Sequence, residues 1–409
     1  ERIRRVAAAI QRIEEQPGLG SRVNLGTMNI QTVNGCFGIQ DGNNAEHNLC
    51  FENELVWVGP LVHSGFFKWL TNSTTPGYII VSATDPTKVH LVTAIKSGTE
   101  VADDGTVERM GTETPQTVDF KSIELRFLKD GGYWGDYLVR HVRTSGYTSD
   151  GLTDYSFEID NSGRPHWVIT HYDRTIGFDG ADALGVVSVD AQSGSIDYYA
   201  VAETPAWIDR IQPETIVSMQ LNDWGAYING FWNAVFAKAD VVQITPGMSL
   251  VYGADGRSYW YSGIQSAGSD TGTNSFVLVD TRTKEVRRYM IAGANESAAR
   301  ASAENAPGVR EAGFSGTNPI LYNISSEPTY CLTLKGGDGL VKMFAFVSVK
   351  NYETVGVGRS VSAALRDYQN ALIREGQGID LQDLTSQERI EAVVVDAVQI
   401  NDTFYLLLD

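Results

Sequence analysis

The chain has 409 residues, 42% of them apolar and 20% charged, and a formal net charge of −18. That balance belongs to a globular protein and excludes a disordered tail, a collagen-like chain and a bundle of membrane helices. The excess of 50 Asp and Glu over 32 Lys and Arg also argues against nucleic acid as a partner, because phosphate binding needs a basic surface and no stretch supplies one.

In chain order, residues 2–15 come first. Ile3, Val6, Ile10 and Ile13 recur at three- and four-residue steps and predict an amphipathic helix, which Pro17-Gly18 ends. Its basic start, Arg2, Arg4 and Arg5, reads as a solvated face, with an anionic membrane surface as the alternative. Three cysteines, Cys36, Cys50 and Cys331, contain no C-x-x-C pair, so a zinc knuckle, a thioredoxin-like motif and a disulfide framework are all excluded. A single Cys36 to Cys50 bridge is allowed in an oxidising compartment, and Cys331 reads as a small buried apolar residue.

From residue 55 onward, short runs rich in Val, Ile, Tyr, Phe and Trp alternate with Gly, Asn and Asp turns and predict strands. Helices are expected over 66–70, from Pro213 to about Ala237, over 296–305 and over 360–375, the last opening on Ser360 and stopping at Gly376. No stretch approaches the roughly 20 apolar residues of a membrane helix. The chain begins without Met and stops directly after the strand-like run 404–408, so both ends are expected to be trimmed, with an upstream anchor or export signal left open.

Internal repetition is the most informative pattern. One unit is strand, turn, strand over 157–170, then strand, turn, strand over 185–199. A second runs through 251–261 and 276–289, with Val279-Asp280 matching Val189-Asp190. A third runs through 322–334 and 341–357, where Lys350 is set in the place of the Asp, and a fainter copy covers 53–58 and 78–92. In each, an aromatic residue is expected to pack under the sheet while a polar turn reverses the chain. Such a unit buries one face of a small antiparallel sheet, usually beneath a helix, and needs neighbours to be stable.

This strand, Val-Asp-x-x-Ser/Thr-Gly/Lys, strand pattern resembles the PepSY and cystatin-like repeat units of bacterial envelope proteins. Val58-Gly-Pro-Leu61, Asp173-Arg-Thr-Ile-Gly177, Trp207-Ile-Asp-Arg-Ile211, Gly339-Leu-Val-Lys342 and Val355-Gly-Val-Gly358 are similar to a family of large bacterial proteins that often carry membrane segments upstream. The resemblance implies an envelope-facing or assembly role and brings no catalytic residues.

Signatures of chemistry are sparse. There is no H-E-x-x-H, no G-x-S-x-G and no phosphate-binding loop, and Gly356-Val-Gly358-Arg-Ser360 lacks the third glycine of a dinucleotide site. His166 and His171, five apart, point to opposite faces of one regular strand, which disfavours a shared metal. Glu52 and Glu54 would share a strand face and serve glycoside hydrolysis only with a further carboxylate opposite. The turns 150–155 and 179–182 offer oxygen ligands for Ca²⁺ but lack the alternating loop of an EF-hand, and Asp and Gly are ordinary turn residues. Among eight tryptophans, Trp167 and Trp260 hold corresponding repeat positions and read as core, whereas Trp134, Trp224 and Trp232 lie outside the repeat and are the candidate interface residues.

The expectation is therefore an α+β protein of tandem antiparallel sheet-plus-helix repeats. An N-terminal helix covers 1–25, a first strand-rich domain 26–150, a second repeat with a helical segment 151–250, further repeats with a helix 251–376, and a truncated C-terminal β-domain starts at 377–409. The expected function is a non-enzymatic structural or interaction protein that assembles with itself, as a homo-oligomer, or with envelope partners, without cofactor or metal and with a membrane only through a segment outside this chain. The alternatives are a hydrolase of cell-wall or polysaccharide substrate using loop carboxylates near Trp134 and Trp224, and a peptide- or ligand-binding module that accepts an extended strand at a sheet edge.

Overall fold

The computed structural model describes residues 2–408 apart from 17, 42, 44, 86, 97–119, 177–178, 238, 254–255, 267–271, 325–326, 376–393 and 401–402. Helices and mostly antiparallel sheets alternate along the chain, an α+β arrangement, in two units, Glu1–Asn295 and Glu296–Asp409. The expected boundaries at 150 and 250 fall inside the first unit.

In that unit α1 (Arg2–Glu14) precedes β1 (Val23–Leu25), β2 (Asn29–Gln40), β3 (Glu46–His63), α2 (Phe66–Thr71), β4 (Tyr78–Ser82), β5 (Val89–Val92), β6 (Ala94–Lys96) and β7 (Phe120–Ser122). The strands make one sheet in the order β5-β4-β3-β2-β6-β7, with β1 beside the end of β3. Cys36 and Cys50 are directly opposite on β2 and β3, their Cα atoms 4.1 Å apart, and form a disulfide. Ala9 and Ile13 of α1 bury against Leu61, Ile79, Val81 and Leu91, with Val6 packed beside them. Ile10, expected on that face, is 42% exposed, because Val6, Ala9 and Ile13 already form the stripe that meets the sheet. Arg5 is likewise no solvated cation: it is buried, and its guanidinium donates to the Ala83 carbonyl.

After α3 (Leu138–Thr144), the strands β8 (Gly151–Ile159), β9 (Pro165–Ile176), β10 (Asp179–Asp190) and β11 (Ile196–Ala200) form a four-stranded meander. Its apolar side, Phe157, Ile159, Trp167, Ile169, Val187 and Val189, shares one core with Val33, Phe37, Val56 and Val58 of the first sheet. Next come α4 (Glu214–Tyr227), β12 (Val242–Ile244), β13 (Ser249–Tyr252), β14 (Ser258–Ser266), β15 (Gly272–Thr273), β16 (Ser275–Asp280), β17 (Val286–Tyr289) and β18 (Gly293–Ala294). Here β12 and β13 both pair with β14, which continues through β16 to β17, and Val217 and Leu221 of α4 pack on Val242, Trp260, Val277 and Val279.

The second unit contains α5 (Glu296–Asn305), α6 (Val309–Ala312), β19 (Ser315–Gly316), β20 (Ile320–Ile324), β21 (Glu327–Lys335), β22 (Val341–Ser348), β23 (Val355–Gly358), α7 (Val361–Arg374) and a hairpin of β24 (Val394–Ile400) with β25 (Thr403–Leu408). Ser360 caps α7 by accepting the Ala363 N–H at 3.2 Å. The helix lies backbone to backbone on β23: a Cβ on Gly356 would sit 2.1 Å from the Tyr368 nitrogen, and one on Gly358 2.3 Å from that of Ala364. All predicted helices are present; that expected from Pro213 to Ala237 ends at Tyr227, with a separate π-helical turn over Asn233–Ala237.

Among the described residues, one hydrogen-bond pattern occurs four times. Trp57, Trp167, Trp260 and Tyr330 stand opposite Val81, Val189, Val279 and Val347. The residue after each valine, Ser82, Asp190, Asp280 or Ser348, donates its N–H across the following turn to Lys88, Ser195, Glu285 or Thr354, at 2.9–3.1 Å. Its side chain accepts N–H groups from within that turn, as Asp190 Oδ1 does from Gln192 and Ser193 and Asp280 Oδ1 from Arg282 and Thr283. The register corrects the expectation for Lys350. Ser348, two residues earlier, follows the Val347 that stands opposite Tyr330 and so holds the aspartate's position, taking the Asn351 N–H at 3.2 Å.

Candidate functional site

Among the described residues, two surfaces bring large side chains together outside the core, both within the first unit. On the first, α2 supplies Phe66 and Trp69, and the loop before α3 supplies Tyr133 and Trp134. Phe66 meets Tyr133 edge to face at 5.3 Å, and Trp69 meets Trp134 at 6.0 Å. Trp69 Nε1 donates to Asp136, whose other oxygen accepts from Arg126 Nε at 2.8 Å, so the indole is fixed from behind. Trp134 has φ 51° and is 66% exposed. A bulky side chain in the left-handed region is uncommon and costs of order 1 kcal/mol, so the loop holds this ring outward at an energetic cost.

The second surface follows α4. Gly230 (φ 84°) turns the chain, after which Phe231, Trp232 and Phe236 project with Tyr227: Tyr227 stacks on Phe231 at 6.4 Å and Trp232 on Phe236 at 5.6 Å. Asn233 Nδ2 donates to the Ala239 carbonyl at 2.8 Å and Asn233 Oδ1 accepts the Ala239 N–H, so the polar side chains close the turn on itself. The rings are left to solvent, with Trp232 72% and Phe236 73% exposed. From Ala226 to Ala237 no residue is charged. A run of exposed aromatic and aliphatic side chains free of charge is the composition of an interface centre.

Trp224, on α4 before this turn, is 39% exposed and lines a hollow of about 430 Å³ with Val217, Leu221, Val277, Val279 and Val286, together with Gln220, Lys284 and Arg288. The predicted interface residues thus divide: Trp134 belongs to the first surface, Trp232 to the second, and Trp224 to the hollow. Tyr133, Phe231 and Phe236 escaped the sequence reading; the uncharged stretch 226–237 was the signal for the last two.

A buried polar cluster joins β2, β8 and the segment before α4. Glu158 is fully buried on β8, its Oε1 accepting from Ser156 Oγ at 2.8 Å and Asn29 Nδ2 at 3.4 Å, while its Oε2 has no hydrogen-bond partner among the described residues. Desolvation raises its pKa to about 7, aided by the nearby Asp209 charge and opposed by the Ser156 hydrogen bond and Arg210. Asp209 accepts the Thr32 N–H at 3.2 Å and is itself raised, chiefly by burial, to about 6. Arg210 binds Asp154 at 3.0 Å and lies 5.8 Å from the centre of the Trp260 ring. Sequence reading had no means to find this cluster, since its members meet only through sheet packing.

The other candidates are dispersed. His166 lies 3.6 Å from Asp160 and His171 3.4 Å from Asp150, two separate pairs. Asp154 and Asp182, from the two turns weighed for Ca²⁺, lie in strands and pair with Arg210 and Lys284. A bulge in β2–β3, with Asn53 at φ 51°, breaks the regular alternation on which a common face for Glu52 and Glu54 depended. Glu54 accepts from Ser82 Oγ at 2.9 Å.

No known protein family and no curated protein matches the sequence. Two solved mutant structures of the Synechocystis apocarotenoid oxygenase are similar over 81% of this chain, at 7% and 8% identity and a TM-score of 0.18. The chain spans 60% of their length, and a likeness so slight carries no argument.

Proposed function

We propose that this protein is a non-enzymatic structural and interaction protein, a series of like sheet units that presents aromatic surfaces for assembly with itself or with envelope partners. The observation that carries this reading is the uncharged, outward-facing group of Tyr227, Phe231, Trp232 and Phe236. Burying a ring of that size is worth roughly 3 kcal/mol, so a few of them offset much of the cost of association. The aromatic-to-valine register and capped turn that recur at Trp57, Trp167, Trp260 and Tyr330 support tandem copies of one unit. Helix α7 across β22 and β23 is in keeping with a PepSY or cystatin-like sheet beneath a helix. The Cys36–Cys50 disulfide fits an oxidising envelope compartment.

The hydrolase alternative asks for facing carboxyls in a cleft beside Trp134 and Trp224. The hollow at Trp224 is lined instead by apolar side chains with Gln220, Lys284 and Arg288, which favours the interaction reading. The test is light scattering on the full chain and on the double variant Trp232→Ser, Phe236→Ser. The expected result is a concentration-dependent rise in mass that the double variant loses while its thermal unfolding stays unchanged. A wild-type chain that stays monomeric, and whose residue 236 yields no adduct in its native host when replaced by a photocrosslinking phenylalanine, would refute the proposal.

A further inference from the structure

The hollow beside α4 divides its chemistry sharply. Val217, Leu221 and Trp224 recur along one face of the helix, above a panel of two cross-strand pairs, Val277 with Arg288 and Val279 with Val286. At about 430 Å³ the space falls within the usual range of small-ligand pockets. Its floor is apolar and, among the described residues, no carboxylate lines it.

Two of its three polar lining residues are already engaged. Gln220 Nε2 donates to the Ala181 carbonyl at 2.8 Å, and Lys284 pairs with Asp182. Arg288 differs. Its guanidinium lies 5.2 Å from the centre of the Trp224 ring, its Nε donates to Ser275 Oγ at 2.8 Å, and it makes no ion pair among the described residues. Both of those partners are neutral, so in a chain of net charge −18 this is, among the described residues, a cation without its anion, at the edge of an apolar slot.

We propose that the groove binds a single-chain amphiphile with an anionic head group, its hydrocarbon over Leu221, Trp224 and Val286 and its head group on Arg288. This site is separate from the assembly reading and stands whether or not the chain self-associates. Trp224 lines the side of the slot with the Arg288 guanidinium over its ring, a cation–π contact that leaves the in-plane N–H donors to the head group.

Isothermal titration of the full chain with dodecanoate, below the concentration at which it forms micelles, tests this. Dodecanol and dodecyltrimethylammonium serve as head-group controls, with Arg288→Glu and Val286→Trp as variants whose fold is checked by circular dichroism. Saturable one-to-one binding of dodecanoate is expected, weaker by at least about tenfold for the alcohol and for each variant, and no binding of the cation. Should Arg288→Glu fail to fold, Arg288→Met keeps the stem over Trp224 and is expected to lose as much. The proposal is overturned by the absence of saturable binding, by equal binding of the three head groups or by unchanged affinity in the folded variants. Binding to phosphatidylglycerol vesicles without binding to free dodecanoate would overturn it too, by making the groove part of a membrane-facing surface.

Discussion

Replacing Glu158 with Gln isolates the energetic consequence of the buried acid. In the folded chain its carboxyl is held at about 7, against 4.5 for an exposed glutamate, chiefly because burial penalises the charge. The folded state therefore keeps its proton where the unfolded chain has released it. Stability is complete below about 4.5, falls as the pH climbs toward 7 and levels off above, because the unfolded state binds fewer protons through that window. At about 1.4 kcal/mol per pH unit the full loss is roughly 3 kcal/mol. Asp209, raised to about 6, acts in the same direction, and the two acids repel each other, so the observed titration belongs to the pair, with Arg210 opposing both shifts and Asp154 as the arginine's partner. Glu158→Gln keeps the oxygen that accepts from Ser156 and Asn29 and removes the ionisation. Urea unfolding followed by circular dichroism at pH 5, 6, 7 and 8 should find the variant no more stable than wild type at pH 5 and about 2–3 kcal/mol more stable at pH 8. Parallel profiles, with the difference changing by less than about 1 kcal/mol across that range, would refute a desolvated, proton-holding Glu158.

Asp280→Ala removes the acceptor of the Arg282 and Thr283 N–H groups and the partner of Arg257, and is expected to cost about 2 kcal/mol in urea unfolding. Gly194→Ala places a Cβ 2.4 Å from the Phe127 ring at φ 75°, so thermal unfolding should register a loss of about 2–4 kcal/mol. Lys284 fills the equivalent turn position at φ 62° with its ammonium on Asp182; Lys284→Gly relieves the backbone and loses the pair, leaving stability within about 0.5 kcal/mol by the same measurement.

Local pattern was enough to predict the helices over 296–305 and 360–375, because capping residues and apolar spacing act over a few positions. It also set Val189-Asp190 against Val279-Asp280, since a side chain that caps its own turn depends only on neighbours in sequence. It failed at Lys350, where the run Val347-Ser348-Val349-Lys350 allows two matches two residues apart and only strand pairing reveals the register. It failed again at Ile10, where helical periodicity allows two adjacent stripes and contact with Ile79 and Leu91 selects the one carrying Ala9.

The composition of 226–237 was visible as a charge-free stretch, yet whether Trp232 and Phe236 lie in a core or in water depends on Gly230 and Asn233 turning the chain outward. Glu158 and Asp209 stand 51 positions apart and look like any other acids in an acidic chain. Their proton affinity comes from the loss of water around them, and loss of water is a property of packed surfaces that no run of letters contains.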